Sequence, residues 1–183
     1  MSKILVDTID TRSGTTTLTL GSTNAGTIAL GSGDVQSNFL YPAFEAHSNA
    51  DQNISDNTYT KVSLQTEIFD SDSKFDNSSN YRFTPTVVGK YFVYGSARLR
   101  ADASQLQLGS LAIYKNGSIY AERTADLRNN NGLQMSVDIS STIDLDSDDY
   151  VELYAKIYIG GGSIIRIEPV NKSTNFGAYR IGT

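Results

Sequence analysis

The stretch YVELYAKIYI, residues 150–159, decides the fold class because its hydrophobicity alternates with a period of two. One set of alternate positions carries only apolar residues: Val151, Leu153, Ala155, Ile157 and Ile159. The other set carries aromatic and charged residues: Tyr150, Glu152, Tyr154, Lys156 and Tyr158. Because successive side chains of a β-strand point to opposite faces, this pattern predicts a strand with one face in a core.

The same alternation recurs along residues 58–169. It predicts strands in TYTKVSLQTEIF (58–69), GKYFVYGSARLR (89–100), LQLGSLAIYK (106–115), LQMSVDIS (133–140) and SIIRIEP (163–169). In the first of these, Val62, Leu64 and Ile68 are expected on one face. Turn residues separate the strands, as in KNGS (115–118) and NNNG (129–132), and only ERTADLR (122–128) is a candidate helical turn. The chain is therefore predicted to be all-β, an antiparallel jelly-roll sandwich.

The composition of the chain changes near Tyr41. Residues 1–40 are rich in Thr, Gly and Ser and contain two near-copies of a short strand, TLTLGS (17–22) and TIALGS (27–32). All 11 tyrosines and every phenylalanine except Phe39 lie in residues 41–183. We therefore predict an N-terminal extended β arm or stem over residues 1–40 and a globular head over residues 41–183. A two-stranded hairpin alone is marginally stable, so the strands of the arm need partners outside it.

Composition and charge exclude several classes of protein. The 183 residues contain no cysteine, so no disulfide, thiol nucleophile or thiolate metal site is available. The formal net charge is −5 and no segment is rich in Lys and Arg, which argues against a nucleic-acid partner. No apolar run approaches the roughly 20 residues of a membrane span, and the N-terminus does not resemble a signal peptide. We expect neither membrane insertion nor secretion.

Residues 42–183 carry an ordered set of motifs. They are PAFEA (42–46), IFDSDSKFD (68–76), YRFTPTVVGKYFVYGSA (81–97), LAIYKNGS (111–118), IDLDSDDYVELYA (143–155) and NFGAYRIG (175–182). Taken in order, they resemble the globular head of complement component 1q, the trimeric jelly roll shared with the tumour necrosis factor superfamily. The N-terminal ILVDTIDTRSGTTTLTLGSTNAG (4–26) is similar to leading segments of phage tail-fibre and head-surface proteins. These resemblances imply a homotrimer on the surface of a virion.

A trimer would also give the arm strands partners. Three copies of residues 1–40 would leave one end of the assembly together, so each strand would gain symmetry-related neighbours. The arm is therefore predicted to contribute to trimerisation and to attach the protein to capsid or tail proteins of the virion.

No constellation of residues predicts an enzyme or a cofactor. The single histidine, His47, lacks the sequence context of a nucleophilic site and is interpreted as structural. Glycoside hydrolysis needs two carboxylates held across a groove, whereas the acidic residues here fall in predicted turns. We expect a non-enzymatic protein without catalytic, cofactor-binding or metal-binding residues.

Two acidic segments are candidate metal sites. DSDSKFDNSSNY (70–81) begins like a calcium loop with Asp70, Asp72 and Asp76, but its fifth residue is Lys74 and its twelfth is Tyr81. A solvated acidic turn is the favoured interpretation. The second segment groups four carboxylates, which are also interpreted as a solvated turn: Asp144, Asp146, Asp148 and Asp149.

The tyrosines of the first stretch are the candidate interface. Tyr150, Tyr154 and Tyr158 point away from the core, where a solvated strand more often carries Thr, Lys or Glu. Tyrosine suits an interface with a buried centre and a wet rim, so these three residues are predicted to lie between subunits of the trimer.

Three function classes follow. The favoured one is a trimeric virion structural protein, most simply a capsid decoration protein docked by its arms. The alternative is a short tail fibre or receptor-binding tip that recognises a glycan or protein on the host surface. An enzyme such as a depolymerase is the third and least supported class.

Overall fold

A computed structural model describes residues 42–103, 105–160, 162 and 164–182. Within these ranges the elements are thirteen strands and one short 3-10 turn, Val170–Lys172. The strands are β1 (Ala43–His47), β2 (Gln52–Asn53), β3 (Thr60–Lys61), β4 (Thr66–Asp70), β5 (Phe75–Asp76), β6 (Arg82–Phe83), β7 (Gly89–Ala101), β8 (Leu106–Lys115), β9 (Ser118–Asp126), β10 (Gln134–Leu145), β11 (Val151–Ile159), β12 (Ile165–Glu168) and β13 (Asn175–Gly182).

The strands form two antiparallel sheets. In the first, called sheet A, the order is β2-β12-β7-β13-β1-β4. Strands β12 and β13 pair with successive parts of one edge of β7, and all of β10 pairs with the opposite edge. In the second, called sheet B, the order is β5-β6-β11-β8-β9, and β3 also pairs with β11. Every strand pair is antiparallel, and the two sheets share one core. The predicted all-β antiparallel sandwich is confirmed.

Strand β11 lies inside sheet B, as its alternation requires. The five apolar residues of its predicted core face are at most 6% exposed: Val151, Leu153, Ala155, Ile157 and Ile159. The outward side chains of β11 lie on the far surface of sheet B, where they meet side chains of β3, β6 and β8. The predicted division of the strand into two faces is confirmed.

Four phenylalanines connect the two sheets at the centre of the core. The ring of Phe44 stacks on Phe75 and Phe83, with centroid distances of 4.5 and 4.6 Å, and meets the edge of Phe176 at 5.4 Å. Phe44 and Phe176 belong to sheet A, whereas Phe75 and Phe83 belong to sheet B. Because aromatic pairs add to the free energy of burial, this cluster is a principal contact between the sheets.

The segment TYTKVSLQTEIF departs from its prediction. It contains two strands, β3 in sheet B and β4 in sheet A, and the chain crosses between the sheets in residues 62–65. Val62 and Leu64 are fully buried as expected, but Ile68 is 44% exposed. The pairing of β1 with β4 skips Ile68, which is the extra residue of a β-bulge. Since a bulge changes which face later side chains occupy, the expected common face for Ile68 is wrong.

Two other predictions concern local turns in the chain. ERTADLR is not a helical turn, because residues 122–126 belong to β9 and pair with β8. The turn at Asn116 and Gly117 joins β8 to β9 as the sequence predicts, with φ values of 51° and 79°. Two consecutive positive φ angles are typical of a tight hairpin turn. The predicted arm, residues 1–40, lies outside the described residues.

Candidate interaction surfaces

The outer surface of sheet B carries the tyrosines that were predicted to form an interface. We call this surface the β11 face and define it by the residues that contact one another there: Tyr59, Lys61, Arg82, Tyr114, Glu122, Tyr150, Glu152, Tyr154 and Lys156. Tyr158 follows on the same side of β11 beside Leu108 of β8. Tyr150, Tyr154 and Tyr158 are all half-buried within a single chain.

A buried carboxylate lies at the centre of the β11 face. Glu152 is 2% exposed, and its Oε1 accepts contacts from Lys61 Nζ at 2.7 Å and Arg82 Nη2 at 2.9 Å. The two cations come from β3 and β6, which both pair with β11 next to this carboxylate. Since a carboxylate removed from water needs compensation, the two cations make the burial of Glu152 possible.

The tyrosine rings of the β11 face are covered within the chain. Tyr154 stacks on Tyr114 at a centroid distance of 3.9 Å, and Arg82 lies 4.0 Å from the ring centroid of Tyr150. Burial raises the pKa of Tyr154 to about 12, with a further contribution from the adjacent Glu152 carboxylate. Side chains of the same chain therefore bury part of the tyrosine surface that was predicted to contact a second subunit. The assignment of Tyr150, Tyr154 and Tyr158 to a subunit interface stays a prediction.

The outer surface of sheet A carries a second aromatic cluster, which we call the β7 face: Phe92, Tyr94 and Tyr179. The ring centroids of Phe92 and Tyr179 are 5.4 Å apart, and Tyr179 is 45% exposed. Sequence analysis did not single out these residues. The signal was present, because in GKYFVYGSARLR the residues Phe92 and Tyr94 alternate with the buried Tyr91 and Val93.

Further exposed apolar side chains lie on or next to strands of sheet A. Phe69 on β4 and Ile181 on β13 are 46% and 51% exposed, and Val88, immediately before β7, is 56% exposed. The Tyr94 hydroxyl donates a hydrogen bond of 3.0 Å to Glu45 Oε2 on β1. Large exposed apolar patches are typical of protein interfaces, and these side chains are candidates for such a contact.

The candidate histidine takes part in a local contact. His47 ends β1, and its Nδ1 lies 2.9 Å from the carbonyl oxygen of Ser48, to which it donates when protonated. This hydrogen bond fixes the ring against its own backbone and does not couple it to a nucleophile. This contact supports a structural role for His47.

The acidic loop after β4 uses its last carboxylate as a backbone acceptor. Asp76 accepts hydrogen bonds from the backbone N–H groups of Ser78 (3.0 Å), Ser79 (2.9 Å) and Asn80 (3.2 Å). The N–H groups of Ser79 and Ser78 hold the pKa of Asp76 well below its usual range. Asp70 accepts from the backbone N–H of Phe75 at 2.7 Å. Asp70 and Asp76 thus shape the turns around β5.

The hydrogen bonds of Asp76 predict a pH-dependent contribution to stability. A carboxyl group with a lowered pKa in the folded state stabilises the fold above its unfolded pKa of about 3.9, and this contribution is lost as the pH falls through the folded pKa. We expect Asp76→Ala to lower the free energy of unfolding by about 1 kcal/mol at pH 7. The difference from wild type should shrink in denaturant titrations at progressively lower pH below about 4. A difference that is constant down to pH 2 would contradict this assignment.

The second acidic group lies between β10 and β11. Asp149 accepts hydrogen bonds from Asn116 Nδ2 (2.6 Å) and the backbone N–H of Asp146 (2.9 Å), and it pairs with Lys115 Nζ at 2.8 Å. Burial alone would raise its pKa, but the Asp146 N–H, Lys115 and Asn116 together lower it. Asp149 therefore joins this turn to the β8–β9 hairpin. Across the described ranges, no three His, Asp or Glu side chains converge as metal ligands.

Comparisons with solved structures identify the fold. The globular domain of zebrafish complement 1qA aligns with 76% of this chain and 97% of its own, at a TM-score of 0.55 and 15% identity. Murine APRIL aligns with 77% of this chain and 99% of its own, at a TM-score of 0.56 and 10% identity. Eiger, a tumour necrosis factor from S. frugiperda, aligns with 78% of this chain and 93% of its own, at a TM-score of 0.55 and 10% identity.

These similarities confirm the complement 1q and tumour necrosis factor jelly roll as the fold of the head. No protein-family model and no curated protein matches the sequence. Among the residues that the structure describes, no helix is long and apolar enough to cross a lipid bilayer.

Proposed function

We propose that this chain is a non-enzymatic, homotrimeric structural protein of a phage virion. In this proposal residues 1–40 attach it to the particle, and the jelly-roll head projects from the surface as capsid decoration. The observation that carries the proposal is the β7 face, where two half-buried aromatic rings adjoin the exposed Tyr179 on a head whose core is formed within one chain. Such a surface is suited to contact with another protein. The phage setting is supported by the resemblance of residues 4–26.

Exposed apolar residues lie on two different surfaces of the head, which is the arrangement that a cyclic trimer needs. A threefold contact is heterologous, which means that two different surfaces of the same chain meet. The β7 face supplies one surface. The edge strand β9 supplies another, because Ile119 and Tyr120 are 48% and 49% exposed there. We propose that the β7 face of one protomer packs against the β9 edge of the next.

The β11 face is the competing location for the contact. Interface anchors of large aromatic type contribute about 2 kcal/mol or more to association. If the β7 face forms the contact, Tyr179→Ala weakens the trimer by this amount and Tyr154→Ala does not. If Tyr150, Tyr154 and Tyr158 form it, Tyr154→Ala has the effect and Tyr179→Ala does not. Concentration-dependent dissociation of both variants, measured by analytical ultracentrifugation beside wild type, separates the two proposals.

Attachment through residues 1–40 is tested by deletion. The head has its own core, so a chain that begins at Tyr41 should keep a cooperative thermal transition within a few degrees of the full-length protein. The same deletion should abolish incorporation into virions, measured as copies per purified particle. A truncated head that is incorporated at the wild-type level would overturn the assignment of the arm.

The alternative proposal is a short tail fibre or a receptor-binding tip that recognises the host surface. A pocket on the outer surface of sheet A, lined by Asp138, Asn175 and Arg123 among others, favours this candidate as a second function. The number of copies per virion distinguishes the two locations, because a decoration protein is present in hundreds of copies and a tail protein in a few dozen or fewer.

A further inference from the structure

Beside the aromatic residues of the β7 face, the outer surface of sheet A forms an open pocket of about 480 Å³. Three neighbouring strands supply a row of side chains across its floor: Asp138 of β10, Ser96 of β7 and Asn175 of β13 are paired partners in the sheet. Because these three residues are directly opposite one another, their side chains project on the same side of the sheet. The pocket is therefore a product of strand register.

The pocket is open because the large side chain of Tyr94 is directed towards β13 and β1. Tyr94, one row further along β7, lies over Gly177 of β13 and donates its hydroxyl to Glu45 on β1. A Cβ at position 177 would lie 2.4 Å from the Tyr94 ring, so only glycine admits this orientation. On the other side of Tyr94, its partner on β10 is the short and exposed Ser140. The result is a depression with a tyrosine at one side.

The polar groups of the pocket have unused hydrogen-bonding capacity. Within the described part of the chain, the Asp138 carboxylate has no hydrogen bond and no ion pair. Ser173 also lines the pocket, but its Oγ is buried and is not open to a ligand. Asn175 donates its amide N–H to the carbonyl of Lys172, which leaves its amide oxygen free to accept. A ligand that both donates and accepts hydrogen bonds satisfies these groups.

The pocket is also lined by a cation, Arg123, which forms no ion pair with Asp138. Arg123 reaches the pocket from β9 and donates to the carbonyl of Glu122 at 3.0 Å. No described carboxylate lies within 4.0 Å of its guanidinium, and this includes Asp138. The pocket therefore presents an acceptor on β10 and a donor on β9.

These features select one chemical class of ligand. Asp138 and the net charge of −5 oppose a phosphate-rich ligand, and the Asp138 carboxylate and Arg123 guanidinium oppose a wholly apolar one. A pyranose fits, because its neighbouring hydroxyl groups donate to a carboxylate and accept from amide, hydroxyl and guanidinium groups. We propose that this pocket binds one hexose unit of a saccharide, with Asp138 and Asn175 accepting hydrogen bonds from its hydroxyl groups, Arg123 donating to them and Tyr94 packing against the sugar. This proposal deepens the receptor-binding alternative, and it requires the trimer contact to lie on the β11 face, because a contact between the β7 face and the β9 edge would cover Tyr94 and Arg123.

The test is a titration of the full-length protein with glucose, galactose, mannose, N-acetylglucosamine and glucuronic acid, followed by ¹⁵N–¹H NMR. At least one sugar should shift the backbone amides of Ser96, Asp138 and Asn175 with a dissociation constant in the millimolar range. Asp138→Ala should weaken that sugar about tenfold or more, since hydrogen bonds to a charged group are the stronger ones.

The matched control is Asp144→Ala. Asp144 lies on the same strand and the same face as Asp138 and is 81% exposed, but it does not line the pocket. Its removal should leave sugar affinity unchanged. The proposal is overturned if no sugar shifts these amides, if the shifts map elsewhere, or if both variants lose affinity equally. Binding is measured on the isolated protein, so this result is independent of virion incorporation.

Discussion

Replacing Phe44 by alanine is expected to lower the free energy of unfolding of the head by about 3–5 kcal/mol. Phe44 is fully buried and contacts three further phenylalanines, two of which belong to the opposite sheet. Because those rings are held by separate strands, they cannot collapse into the space without moving the sheets. The loss therefore includes a term for the cavity as well as the lost burial.

Chemical denaturation of the head, monitored by circular dichroism, measures this effect. Ile164→Ala is the control, because Ile164 is 57% exposed and lies outside the strands. Its removal should change the free energy of unfolding by no more than about 0.5 kcal/mol. A Phe44→Ala variant as stable as this control would mean that the two sheets do not pack through the phenylalanine cluster.

The second large effect is expected for the double variant Lys61→Met and Arg82→Met. It leaves the Glu152 carboxylate, which is 2% exposed, without either cation. Breaking a buried ion pair in this way costs about 3–5 kcal/mol, because the remaining charge is buried and uncompensated. Adding Glu152→Gln to the double variant removes that charge and should recover a large part of the loss.

A matched control lies four residues from Glu152 along β11. Lys156 is on the same face of β11, and its Nζ is 4.0 Å from Glu122 Oε1. Glu122 is 39% exposed, so water compensates it when the cation is removed, and Lys156→Met should cost less than about 1 kcal/mol. Equal losses for Lys156→Met and the double variant, or no recovery on adding Glu152→Gln, would contradict the proposed role of the buried carboxylate.

Local alternation predicted the fold class and the core face of β11 because each depends only on neighbouring residues. Val151 and Leu153 could be assigned to the core from YVELYAKIYI alone. Ile68 could not, since its exposure follows from a bulge between β1 and β4. A bulge depends on the pairing partner, which lies more than 20 residues away in the sequence.

The interaction surfaces were less predictable because they combine distant strands. The cations beside Glu152 come from β3 and β6, so the cover of the β11 tyrosines could not be inferred from β11 itself. The row of Asp138, Ser96 and Asn175 depends on the register of three strands. By contrast, Phe92 and Tyr94 could have been found by applying to β7 the same argument that was applied to β11.

Sedimentation equilibrium of residues 41–183 tests whether the head assembles as a trimer. The head alone is used because residues 1–40 could otherwise hold copies together. We expect a single species with three times the mass of the chain at micromolar concentration, which dissociates when the aromatic contact is removed by substitution. A stable monomer over the same range of concentration would contradict it.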